Sequence, residues 1–141
     1  MPKNQIIYFT KDPRFAPTLL TTATGTNAVQ IFAPSVEGTR VTNIIICSTS
    51  ATQMTLFLQL NANGVICKLG HITVPAGAGT NGSVACVAGF NTGNLPWLER
   101  DANGNGFVDL NFQMNLEVKL LNALSTGEQI DIAVKGANYD A

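Results

Sequence analysis

Charge is what this sequence has least of. Asp, Glu, Lys and Arg make up 12% of its 141 residues, about half the ~25% of an ordinary soluble domain. Eight basic residues stand against nine acidic ones, a net charge of -1. The chain therefore lacks the Lys and Arg excess that releases counterions from a phosphate backbone, which argues against nucleic acid as a partner. Hydrophobic residues are at an ordinary 45%, so the missing charges are replaced by Thr, Asn, Ser and Gly, and the expected surface is neutral and polar. Disordered chains combine low hydrophobicity with high net charge, and this one has neither.

Other absences narrow the reading further. No apolar run approaches the roughly 18 residues needed to cross a bilayer. Ile6-Ile7-Tyr8-Phe9 is shorter than the apolar region of a signal peptide, about 7 to 15 residues. The expectation is a protein made in a reducing cytoplasm, with no membrane partner. Cys47, Cys67 and Cys86 are odd in number and widely spaced, which does not suit a disulfide framework. Each lies in or beside an apolar run, such as Ile44-Ile45-Ile46-Cys47, which predicts three buried, reduced thiols acting as small hydrophobes. A single domain of about this length buries roughly 68 to 70% of its unfolded surface and needs no covalent staple.

Helical periodicity is missing too, and a period of two takes its place. Residues 1–27 carry no sustained pattern, and Pro13 and Pro17 bias their neighbours to extended backbone, which predicts an extended N-terminal arm. Residues 28–141 form the expected folded domain. Ala28–Phe32 and Arg40–Cys47 read as strands. Met54, Leu56, Leu58 and Leu60 alternate with Thr55, Phe57 and Gln59, and Asn61-Ala62-Asn63-Gly64 supplies the turn of a hairpin over residues 53–69. A separate strand is expected at His71–Val74 and a short one at Val84–Val87. A long loop over Gly89–Gly106 precedes Phe107–Leu110. Phe112–Leu120 and Ile130–Val134 complete the set, with a turn at Ser125-Thr126-Gly127. Short strands between Gly, Asn and Pro turns predict an all-β fold, a jelly-roll-like antiparallel β-sandwich with an extended N-terminal arm.

Three motifs suggest chemistry and fall short of it. Gly77, Gly79 and Gly82 spell G-x-G-x-x-G, but dinucleotide binding needs a helix after the glycines, because the pyrophosphate sits on helix N-terminal amides. A flexible surface loop explains them. Asp101, Asn103, Asn105, Gly106 and Asp109 fall at EF-hand positions, yet Phe112 stands where the bidentate Glu is required, so a turn between strands accounts for the same residues. Cys67 and His71, four apart on a strand, share one face about 13 Å apart at roughly 3.3 Å per residue, too far for one zinc. The sequence has a single histidine and no G-x-S-x-G elbow. Catalytic, metal and cofactor residues are therefore expected to be none. Trp97, the lone tryptophan, reads as an anchor holding the long loop onto the sandwich, with a sugar platform or an interface anchor as alternatives.

The segments Thr73-Val74-Pro75-Ala76-Gly77-Ala78-Gly79-Thr80, Leu95-Pro96-Trp97-Leu98-Glu99-Arg100-Asp101-Ala102-Asn103-Gly104-Asn105, Leu116–Gly127 and Ala137-Asn138-Tyr139-Asp140 resemble small virion proteins of tailed bacteriophages, in particular capsid cement, or decoration, proteins. The resemblance covers about the last half of the chain and rests on turn and strand patterns. It implies a jelly-roll sandwich on the outer capsid surface of the virion, partnered by the major capsid protein and by copies of itself, a homodimer or other symmetric oligomer, without enzymatic activity. Interface cores are poor in charge because unpaired buried charge is expensive. Candidate contact residues are Phe9, Arg14 and Phe15 on the arm, which packs either on its own core or on a neighbour, and Trp97. A second class fits the same residues: a carbohydrate-binding or tail-adaptor module using Trp97, Tyr139 and the Asn-rich loops. A small β-barrel enzyme built on His71 is the third.

Overall fold

The computed structural model describes residues 10–139; Phe9 and the apolar run before it lie outside the described residues. Among the described residues the chain forms ten strands: β1 (Thr10–Leu20), β2 (Val29–Phe32), β3 (Thr39–Ser48), β4 (Met54–Ala62), β5 (Val65–Val74), β6 (Val87–Ala88), β7 (Glu99–Arg100), β8 (Gly106–Leu110), β9 (Met114–Leu120) and β10 (Ile130–Tyr139). A single 3-10 turn, Thr22–Thr24, follows β1.

The strands build two antiparallel sheets. One has the order β1-β10-β3-β8-β7, with the short β6 also on β3; the other is β2-β9-β4-β5. Four pairs are nested in sequence: β1 with β10, β2 with β9, β3 with β8 and β4 with β5. The chain is thus one long hairpin, rolled so that successive pairs alternate between the layers, which is the jelly-roll order. Of the residues read from sequence as an arm, those from Thr10 to Leu20 run along β10, from Thr10 opposite Tyr139 to Leu20 opposite Ile130.

Side-chain alternation explains the layers. Leu56 and Leu58 of β4, Leu116, Val118 and Leu120 of β9, Ile44 and Ile46 of β3, and Ile130, Ile132 and Val134 of β10 all point inward and are almost fully buried. Their burial supplies the main driving force for sheet-on-sheet packing. Thr39 and Ser48 are also completely buried, and their hydroxyls are engaged: Thr39 Oγ1 lies 2.9 Å from Asn138 Oδ1, and Ser48 Oγ accepts from the Ser50 N–H at 3.1 Å. Hydrogen bonding removes most of the penalty of placing them there.

Bulges change which residues face inward. On β3 the register with β10 passes from Asn43 opposite Lys135 to Val41 opposite Gly136, leaving Thr42 as the extra residue. Val41 and Ile44 therefore both enter the core, at odds with strict alternation. On β5 the register skips Leu69, between Gly70 opposite Leu58 and Lys68 opposite Gln59. Residues 65–69 and 71–74, expected to be separate strands, are one strand bent at this point, where Gly70 has φ 139. The β4–β5 connection is the two-residue Asn63-Gly64 turn, with φ 53 and 94, the primed geometry that matches strand twist. The strand expected at Val84–Val87 shrinks to Val87–Ala88.

Candidate interaction surface

A sandwich exposes the rims of its sheets, and an unprotected rim is a template for another strand. Three of the four rims here are blunted. β1 carries Pro13 and Pro17, which lack an N–H to offer. β2 has four residues and a bulge, and β7 has two residues, both charged. The fourth rim, β5, has ten residues, no proline and one charge, Lys68. Its first four residues are all exposed, including Val65 at 70% and Ile66 at 47%. The β4–β5 hairpin thus ends in an apolar tip that this chain leaves uncovered.

A second exposed apolar patch lies on β1. Phe15 is 61% exposed and Leu19 59%, with Pro17 between them on the same face. Their cross-strand partners are Lys135, Ala133 and Asp131 of β10. Of the contact residues expected from sequence, Phe15 is exposed. Arg14 is held by its own chain, donating to the Ala33 carbonyl at 2.8 Å with its guanidinium 4.4 Å from the centre of the Phe32 ring. Trp97 is half-buried against the core, and its indole N–H donates to the Leu69 carbonyl at 2.6 Å. Both contacts are with its own chain, as the loop-anchor reading expects. Phe9 lies outside the described residues.

The motifs with chemical overtones resolve into structural parts. The bulge at Leu69 puts Cys67 opposite the inward Leu60 and His71 opposite the outward Phe57, so the two do not share a face as the unbroken strand predicted. The start of the Gly77–Gly82 loop is held on the sandwich: Ala78 is fully buried, its carbonyl accepts from the Ser48 N–H at 2.8 Å, and Gly77 N–H donates to the Ser50 carbonyl at 3.0 Å. A strand and a loop follow it, where nucleotide binding would need a helix. Asp101 Oδ1 accepts from the N–H groups of Asn103 and Asn105, closing the β7–β8 turn. Asp109 is occupied elsewhere by Arg40, at 2.9 and 3.3 Å, and by the Tyr139 hydroxyl at 2.5 Å. The expected burial of all three cysteines is corrected as well: Cys67 and Cys86 are exposed and Cys47 is half-buried. Apolar neighbours in sequence do not bury a residue at a hairpin tip or ahead of a two-residue strand.

Arg40, Asp109 and Tyr139 form a polar cluster on the outer face. The Arg40 guanidinium also stacks 3.9 Å from the centre of the Phe107 ring. The hydrogen bonds that Arg40 donates to Asp109 raise the Arg40 pKa, and burial raises that of Tyr139. Beside it lies an open groove of about 560 Å³ that includes Asn91, Asp101, Asn105, Phe90, Phe107 and Lys135. Sequence reasoning passed over Arg40, whose partners lie 69 and 99 residues away along the chain. No local signal reports such pairings.

Together these features define an all-β jelly-roll sandwich with exposed apolar patches at the β4–β5 hairpin tip and on β1. No known protein-family model matches the chain, and no curated protein matches it. Among solved structures, it is similar to the core of Drosophila NLP, from a crystal structure concerned with pentamer formation and histone binding. That likeness has 10% identity and a TM-score of 0.47 over 92% of this chain and 100% of the other. It is also similar to a chain of the capsid asymmetric unit of the cyanophage Pam1, at 14% identity and a TM-score of 0.41, over 98% and 91% of the two chains.

Proposed function

We propose that this protein is a structural component of a bacteriophage particle. It binds the outside of the capsid shell, cements neighbouring major capsid subunits, pairs with a second copy of itself about a two-fold axis, and carries no catalytic activity. The observation that carries this reading is the contrast among the rims: three are blunted, whereas β5, though Trp97 caps its bulge at Leu69, leaves its first four residues uncovered, with Val65 and Ile66 exposed. A charge-poor sandwich is suited to lie against other proteins, since little charge has to be desolvated at the contact. The resemblance of the Gly-rich, Trp97 and C-terminal segments to capsid cement proteins points the same way.

In this reading β5 supplies the contact between copies, and Phe15 with Leu19 faces the shell. Deleting residues 1–20 would remove β1 from the sheet, so point changes are the cleaner test. Phe15→Asp with Leu19→Asp is expected to weaken co-sedimentation with purified empty shells by at least about tenfold, because a hot-spot residue contributes ~2 kcal/mol or more. Val65→Asp with Ile66→Asp is expected to turn the dimer into a monomer in sedimentation velocity. Native-like folding with undiminished shell binding in the first variant, or a wild-type protein that stays monomeric and ignores intact shells, would overturn the proposal. One observation favours a second reading, a carbohydrate-binding or tail-adaptor module: the groove beside Arg40 offers amides, a carboxylate and aromatic rings together. Binding to a glycan panel in place of shells would establish it.

A further inference from the structure

We propose that Cys47 and Cys86 are a dithiol pair that closes to a cross-strand disulfide when the protein meets an oxidant, tying the segment that leads into β6 to β3. The register brings them together. Ile45 lies opposite Ala88 and Ile46 opposite Val87, so the next position on each strand places Cys47 opposite Cys86. The Gly89 N–H donates to the Ile44 carbonyl at 2.7 Å, so the backbone of Ile44 points toward the β6 side, and so do those of Ile46 and Ser48, whose N–H donates to Ala78 on that side. Alternation along the ladder then makes 47 and 86 a non-hydrogen-bonded pair, the kind whose Cα atoms approach to about 4.5 Å with side chains closest. A disulfide spans Cα separations of about 4.4 to 6.8 Å.

The side chains also converge. A carbon placed on Gly79 would stand 2.6 Å from the Cys47 sulfur and 3.0 Å from Cβ of Cys86, so the two cysteines border the same small volume. Both lie on the outer side of the sheet, since Ile44, Ile46 and Ser48 of β3 take the inner one. Cys86 is exposed and Cys47 half-buried, whereas Cys67 sits on the other sheet. Burial, and after it the neighbouring Cys86, raises the Cys47 thiol pKa, leaving the exposed Cys86 as the sulfur an oxidant meets first.

With a small disulfide such as oxidised glutathione the chemistry balances. The Cys86 thiolate attacks one glutathione sulfur, breaking that S–S bond and releasing one glutathione thiolate, which takes up the Cys86 proton. Cys47 then attacks the Cys86 sulfur, its proton passing to the second glutathione as it leaves. The two protein thiols are oxidised and one glutathione disulfide is reduced to two thiols. The closed loop holds about 40 residues, in the range where cross-linking removes substantial freedom from the unfolded chain. The pair would behave this way whatever the chain binds.

Reduced protein is equilibrated with oxidised glutathione, blocked with N-ethylmaleimide and mapped by mass spectrometry after non-reducing digestion. The expected result is a monomeric chain lighter by two hydrogens at this bond, a linked Cys47–Cys86 peptide, and Cys67 outside it. Its thermal midpoint should rise by several degrees and fall back with dithiothreitol. Cys67→Ser should form the same link, and Cys86→Ser should form none and show no such rise. Cys47 and Cys86 recovered on separate blocked or glutathionylated peptides, or a disulfide between chains in its place, would overturn the inference.

Discussion

Replacing Trp97 by Phe asks whether that ring serves its own chain or a partner. The indole N–H donates to the Leu69 carbonyl at 2.6 Å in a partly buried setting, and Leu69 is the extra residue that β4 does not pair. The substitution keeps most of the ring's apolar contact and removes the one donor at the bulge. A typical hydrogen bond contributes about 0.5–1.5 kcal/mol, and an acceptor left without a partner costs about 1–3. For this half-exposed site a loss of about 1–2 kcal/mol follows, which in a chain of this size lowers Tm by about 3–6 °C. Differential scanning calorimetry measures it directly, and co-sedimentation with shells should be nearly unchanged below the transition. An unchanged Tm together with lost shell binding would refute the assignment and make Trp97 an interface hot spot.

Three other outcomes are expected. Gly136→Ala, on β10 opposite the β3 bulge, would drive a methyl group into the Arg40 carbonyl oxygen, and chemical denaturation should show a loss of about 1–3 kcal/mol with the m-value unchanged. The Glu128 carboxylate accepts from the Ala51 N–H at 2.8 Å and the Ser125 N–H at 3.0 Å, bonds that lower its pKa. A depressed folded-state pKa contributes stability above the unfolded carboxylate's pKa and loses it as pH falls through the folded one. Glu128→Gln should therefore melt below wild type at neutral pH and converge with it in acid, and a constant gap across that range would contradict the linkage. His71→Ala, at an exposed position on β5, should change stability by less than about 0.5 kcal/mol and leave shell binding intact; loss of biological function in a folded variant would revive the enzyme reading.

The rims of the two sheets show why contact surfaces resist sequence reading. Phe15 and Arg14 are adjacent, and both were candidate contacts. Strand alternation turns Phe15 outward and brings Arg14 onto Phe32, a ring that reaches it only because β2 starts the opposite sheet. Val65, Ile66 and Cys67 read as an apolar, buried run, yet they lie on a rim beyond which no further strand follows. Burial at these places is decided by neighbours remote in sequence.

What the sequence determined by itself was the period: two-residue alternation in β4, β9 and β10, the Asn63-Gly64 turn, and a charge deficit that left the surface neutral. These are local properties, written in side-chain spacing and backbone preference. Only the tertiary structure decided that Thr10–Leu20 joins the sheet, that Thr42 and Leu69 bulge and reverse which side chains face inward, that Arg40 finds Asp109 and Tyr139, and that Cys47 comes to face Cys86. Each of these depends on the register between strands far apart in the chain, and a shift of one residue would send every side chain to the opposite face.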